Sequence, residues 1–263
     1  MFVVLQTARA QDFDQPVGVL QPAVDLHDVK IVQRLGNQVP LGAEFRNRQG
    51  RAVRLGELLQ SRPVLVLPIF YQCTGVCSLE LQDLVDTLPK MTKWRIGRDF
   101  DVVVLSINPK EGPDLALSKF QSTVSASPGL AGTEPGWHFL TGTLTSIRSV
   151  TDALGFYYTY DADKDLVNHP AGIIFLTPSG VVSSYILGAS YSTDGLSKNL
   201  DLAAKNRVGE KSADIFFGCI HIDPLTGQRS LAIQGVLRLL GLATILTIAA
   251  TLAVLSKKRK ARI

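Results

Sequence analysis

Two cysteines separated by three residues, Cys73 and Cys77 in "FYQCTGVCSLEL" (70–81), are the residues of this chain best suited to chemistry. Paired thiols can exchange with a disulfide, clamp a soft metal, or simply pack as small hydrophobes. The stretch before them, "PVLVLPIF" (63–70), is a continuous apolar run that fits a strand buried on both faces. The stretch after them carries leucines at 79, 81, 84 and 88 and reads as a helix ending near Pro89. The pair therefore belongs to a strand-to-helix junction, at the sheet edge where α/β folds place ligand sites. The positive end of a helix favours thiolate over thiol there. Residues four apart on a helix share a face, so both sulfurs can address one target or each other. Gly75, between them, permits a bend that a helix would not otherwise take.

Two thiolates plus an imidazole suit copper, whereas structural zinc usually takes four ligands. Of the four histidines, His27 lies in a polar stretch, His138 in a short strand beside Trp137, and His221 next to an apolar C-terminal run. His169, in "LVNHPAGIIF", is the best placed, on a loop just before a buried strand. An ordinary surface histidine fits that position equally well. Thioredoxin folds have a cis proline facing the thiols at the start of such a strand, and Pro170 in that role would bring His169 beside Cys73 and Cys77. The third cysteine, Cys219, stands with His221 in "GCIHIDPLTG" (218–227). Alternation on a strand would turn both to one side as an auxiliary copper or thiol site. A juxtamembrane turn set by Asp223-Pro224 is the simpler reading.

The elements that must position these residues alternate in type. "AEFRNRQGRAVRLGELL" predicts a β-hairpin around Asn47–Gly50 and then a short helix. "DFDVVVLSIN" (99–108) is a second buried strand, "GPDLALSKFQST" a helix with Pro113 near its start, and "GWHFLTG" (136–142) a short strand. "TLTSIRSVTDALGF" is amphipathic, with Ile147, Val150 and Leu154 on one face. "AGIIFLTPSGVVSSYILG" (171–188) reads as a hairpin turning at Pro178-Ser179-Gly180, and "TDGLSKNLDLAAKN" as a last helix capped by Thr193 or Asp194. Strand–helix alternation predicts an α/β fold with a central, partly parallel sheet.

Within the 263 residues, 46% hydrophobic and 19% charged, the surplus apolar content is concentrated at the end. "LLGLATILTIAATLAVL" (Leu239–Leu255) has 17 residues and no charge, and Gln234–Arg238 can extend it to bilayer length. The cluster Lys257, Lys258, Arg259, Lys260 and Arg262 follows at once, which predicts a cytoplasmic tail and an exported N-terminal portion. That tail holds five of the 27 basic residues, so the net charge of +4 does not point to nucleic acid. "MFVVLQTARAQ" has a short apolar run and a loose Ala8-Arg9-Ala10 cleavage site, so residues 1–10 read as a signal-peptide remnant. "DADKD" (161–165) lacks the glycine and glutamate of a calcium loop and is a solvated acidic turn. There is no glycine-rich phosphate loop and no G-x-S-x-G elbow.

"LPIFYQCTGVCSLEL", "VVVLSINPKEGPDLA", "WHFLTG" and "VNHPAGIIFLTPSG", in this order, resemble the Sco (synthesis of cytochrome oxidase; SCO/SenC) family over roughly residues 32–205. The resemblance implies a thioredoxin-like fold and a membrane-anchored copper protein serving the copper-A centre of cytochrome c oxidase. By motif match it implies Cys73, Cys77 and His169 as ligands of Cu+ or Cu2+. The partner would be the oxidase subunit carrying that site or a related copper enzyme. A thiol–disulfide reductase acting on the oxidase cysteines, with Cys73 and Cys77 as its redox pair, is the alternative. Thr74 and Ser78 stand where the family commonly has prolines, and Asn108 and Asn168 where it has aspartates. The C-terminal anchor matches a bacterial subset with a Cys-x-His-x-Asp-Pro stretch before the last helix. The expected organisation is a linker at 11–31, a copper-binding domain at 32–210, and a juxtamembrane segment at 211–230. A membrane helix at 231–256 and a tail at 257–263 follow, with the domain in the periplasm and the anchor in the inner membrane.

Overall fold

The continuous apolar runs become the middle of a sheet, because a strand covered on both faces has no solvated side that would call for alternating polar residues. The computed structural model describes residues 29–59, 62–73, 76–161 and 166–212 with Gly241 and Thr244, and for Val76, Cys77 and Leu166 the main chain only. In chain order the elements are β1 (Lys30–Ile31), β2 (Glu44–Asn47), β3 (Ala52–Arg54), β4 (Val64–Ile69), α1 (Val76–Thr87), β5 (Asp101–Ser106), α2 (Pro113–Phe120), β6 (Trp137–Thr141) and α3 (Leu144–Ala153). They continue with β7 (Phe156–Tyr157), β8 (Thr159–Asp161), β9 (Leu166–Asn168), β10 (Gly172–Leu176), β11 (Val182–Leu187) and α4 (Thr193–Ala204).

Seven strands form one mixed sheet in the order β11-β10-β4-β5-β6-β2-β3. The centre, β4-β5-β6, is parallel, with Val64 opposite Asp101 and Val102 opposite Trp137. Parallel neighbours need a crossover, and α1 and α2 supply the two connections. The flanking pairs β10–β4, β10–β11, β2–β6 and β2–β3 are antiparallel. One sheet face packs on α1, α2 and α4 through Leu81, Leu84, Ala116, Phe120, Leu196 and Leu200. The other face packs on α3 through the predicted stripe of Ile147, Val150 and Leu154. The α3 C-terminus requires Gly155 at φ +64°, where a Cβ would collide with the Val32 carbonyl.

Several expectations change. The cap of α4 is Ser192, one residue earlier than expected, its hydroxyl accepting from the Gly195 N–H at 3.1 Å. Lys30 and Ile31, expected in the linker, pair as β1 with β7. The strands β7, β8 and β9 are too short to show a period in sequence; β8 and β9 pair with each other, antiparallel. The His169–Pro170 peptide is trans, since no described peptide bond is cis; the cis proline of the thioredoxin comparison is absent at this position. Residues 1–28 and nearly all of 213–263, with His27, Cys219, His221 and the expected membrane segment, lie outside the described residues. Among the described residues no helix is long and apolar enough to cross a membrane.

Candidate metal centre

The chain leaves β4 at Ile69 and tightens at once. The Cys73 N–H donates to the Phe70 carbonyl at 3.2 Å, closing a turn before α1 begins at Val76. Cys77 is thus the second residue of the helix, in the turn where the macrodipole is most positive. Cys73 is half-buried and packs against the core on the α1 face.

A junction of this kind exposes main-chain donors that no ladder satisfies. Glu111, itself buried, supplies the acceptors. Its Oε2 takes the Tyr71 N–H at 3.0 Å and the Ser106 hydroxyl at 2.5 Å, and its Oε1 takes the Gln72 N–H at 2.9 Å. The Tyr71 hydroxyl lies within donating distance of the carbonyls of Val104 (2.7 Å) and Leu140 (2.9 Å), locking the residue beneath the loop. Burial, with the Glu111 carboxylate adding to it, pushes the Tyr71 phenol well above its ordinary range, so it stays a neutral donor. Ser78, at the family's proline position, donates to the Cys73 carbonyl and accepts from the Lys119 ammonium at 3.1 Å. A hydroxyl and a cation from α2 thus brace the loop where a rigid ring would otherwise stand.

His169 reaches the same edge from the other side. Ile174 of β10 faces Val66 of β4 in an antiparallel pair, so His169, three residues before β10, lies toward the end of β4 that leads to Cys73. The His169 Nδ1 lies 2.8 Å from the Pro170 carbonyl, which can only accept, so Nδ1 carries a proton; in the neutral ring the lone pair is then on Nε2. The ring stacks at a tilt on Phe156, centroids 5.9 Å apart. Among the described residues, no three His, Cys, Asp or Glu side chains converge as a preassembled metal site; the Cys77 side chain lies outside them. His138 does not join this edge: it faces Asp101 at 3.9 Å, at the opposite end of the central strands.

The residue that sequence reasoning missed is Glu80, fully buried on α1 one turn beyond Cys77. Its Oε1 accepts from the Gly172 N–H at 2.7 Å and from the Tyr191 hydroxyl at 3.3 Å, while its Oε2 has no hydrogen-bond partner among the described residues. Burial pushes its carboxyl up to about 8; the bonds from Gly172 and Tyr191 oppose that shift and proximity to Cys73 adds to it. A signal existed in the chain: a glutamate flanked by Leu79 and Leu81 on a helix that must bury one face. Leu79 is 64% exposed and Glu80 0% exposed, the reverse of their hydropathy.

The family model described as SCO1/SenC matches residues 36–203, well over half of the chain. This chain belongs to the SCO1/SenC family. Solved structures carry the same architecture. A candidate electron-transfer protein of Aquifex aeolicus VF5 is similar at 24% identity and a TM-score of 0.55, over 66% of this chain and 95% of that one. A SCO1/SenC family lipoprotein of Bacillus anthracis gives 18% identity and a TM-score of 0.52, over 66% and 99%. ScoI of Bradyrhizobium japonicum, solved with copper bound, gives 19% identity and a TM-score of 0.48, over 61% and 96%. The two structures with TM-scores above 0.5 show a shared fold. No curated protein matches this SCO1/SenC chain significantly.

Proposed function

We propose that this chain carries one copper ion on the thiolates of Cys73 and Cys77 and the imidazole of His169, and hands it to the copper-A site of cytochrome c oxidase or a related copper enzyme. Membership of the SCO1/SenC family supports the role, and the donor set fits a soft ion: two sulfurs and one neutral imidazole nitrogen. The observation that carries the reading is the meeting of two sequence-distant segments at one sheet edge. Glu80, three residues after Cys77, bonds Gly172, three residues after His169. The His169 Nδ1–H bond to the Pro170 carbonyl supports it too, since fixing one ring nitrogen as donor presents the other as ligand. Three ligands at a sheet edge, two on loops and one in the first turn of α1, leave an incomplete shell through which an acceptor can exchange its own ligands for these.

The test is a Cu(I) titration of the reduced full chain against a chromophoric chelator. We expect one equivalent bound, loss of that binding in the double variant Cys73→Ser, Cys77→Ser, and at least about tenfold weakening in His169→Ala. Unchanged affinity in the double variant would sink the copper reading.

A thiol–disulfide reductase is the second reading, favoured by the position of Cys77 in the first turn of α1, where thiolate is stabilised. One thiolate would attack a partner disulfide to form a mixed disulfide. The other would resolve it, leaving the partner reduced and Cys73 bonded to Cys77. A reductase keeps its exchange rate in His169→Ala; a copper carrier loses affinity.

The same reading places the 32–210 domain in the periplasm, residues 231–256 in the inner membrane as a single helix, and residues 257–263 in the cytoplasm. Its support is the uncharged run Leu239–Leu255 with basic residues directly after it.

A further inference from the structure

We propose that Glu80 is a positioning residue for the copper site, acting through the main chain of Gly172 to hold the His169 segment at ligand distance from the cysteine helix. This rests on the copper reading above and names a residue outside its ligand set. The ladder between β10 and β4 stops at Ile174, short of the site. Two residues nearer the site, the Gly172 N–H turns instead to the Glu80 carboxylate of α1 at 2.7 Å. A second bond of the same kind follows on the helix: Asp83 Oδ2 accepts the Tyr191 N–H at 2.7 Å, and the Tyr191 hydroxyl returns to Glu80. The helix that bears Cys77 is therefore fastened by carboxylates to the strand that follows His169 and to the loop before α4.

A buried carboxyl with one oxygen unpartnered is an expensive way to fill a helix face. Leucine at this position would complete the apolar face that Leu81, Leu84 and Val85 already make. What leucine cannot do is accept the Gly172 N–H. The bond is directional, which packing is not, and it spans the two halves of the proposed ligand set. Groups that orient ligands from behind in this way set metal affinity without touching the metal, and their loss costs about 10–100-fold.

The experiment is a thermodynamic cycle on the full chain, with Cu(I) affinity read by chelator competition in wild type, Glu80→Ala, His169→Ala and the double variant. Glu80→Ala is expected to weaken binding about 10–100-fold in the wild-type background and to have no effect once His169 is alanine. Glu80→Gln keeps an oxygen for Gly172 and is expected to restore affinity to within about threefold of wild type. Glu80→Met preserves bulk and replaces Glu80→Ala if the smaller side chain does not fold. A metal-free readout accompanies these: the His169 ring resonances should move in Glu80→Ala and hold in Glu80→Gln. Undiminished affinity in Glu80→Ala overturns the proposal. So does an equal loss with and without His169, which marks a purely structural role, or a Gln variant as weak as Ala. Should His169→Ala and the cysteine variants themselves bind copper normally, the copper reading is what has failed, and this inference falls with it.

Discussion

At the scale of single residues, the site is set by groups that are not themselves ligand candidates. Glu80 illustrates the energetics. An unfolded glutamate loses its proton near 4.5, whereas burial holds this one up to about 8. Between those values the native state keeps a proton that the unfolded chain has released, so stability is fullest below the lower value and falls as pH rises toward the upper. The slope from this group is about 1.4 kcal/mol per pH unit. Urea unfolding of the full chain between pH 5 and 8 should therefore show wild type losing stability relative to Glu80→Gln, which does not titrate. Parallel curves would show that Glu80 is not protonated in the native state. His169 makes a complementary case, because its tautomer follows from one carbonyl that can only accept.

At the scale of elements, the junction between β4 and α1 is held from behind by the loop after β5. Glu111 gathers the amides of Tyr71 and Gln72 and the hydroxyl of Ser106, so the end of one strand shapes the turn after its neighbour. Removing that acceptor strands the buried Tyr71 N–H, at a cost of about 1–3 kcal/mol, and frees the Gln72 N–H and the Ser106 hydroxyl. Glu111→Ala should destabilise the chain by about 3 kcal/mol and speed hydrogen exchange at Tyr71 and Gln72, with Glu111→Gln recovering part of the loss. Exchange at those amides no faster than wild type would show that the brace is not what orders the loop. Beneath the loop lies an aromatic group centred on Phe139, whose ring lies 5.8 Å from Tyr71 and 5.6 Å from Phe120, so the junction rests on packed aromatic rings of the core.

At the scale of the whole molecule, the parallel centre brings the ends of β4 and β5 to one edge, and the antiparallel β10 delivers His169 to that edge from the far side. A domain built this way presents its chemistry on one rim, and the basic tail predicts which side of a membrane that rim faces. A cytoplasmic reporter fused after Ile263 should be active, and a periplasmic reporter fused there silent. The opposite pattern would overturn the proposed orientation.

Much of this was legible in the chain because it depends on local pattern. The runs 63–70 and 99–108 announce β4 and β5, since short apolar runs rich in valine suit strands covered on both faces. The cysteine spacing, the hairpin at Pro178–Gly180 and the α3 stripe were readable for the same reason. The placement of Cys73 at a strand end followed from order alone. What the sequence could not decide was which distant groups meet. Leu79 turning outward while Glu80 turns inward contradicts hydropathy, and the Gly172 amide, 92 positions away in the chain, explains it together with the Tyr191 hydroxyl. The trans bond before Pro170, the capture of two amides by Glu111 and the pairing of Lys30 with Tyr157 are likewise tertiary. Periodicity records which face of an element is buried; it does not record against what, and directional bonds between remote segments are settled only when the chain closes on itself.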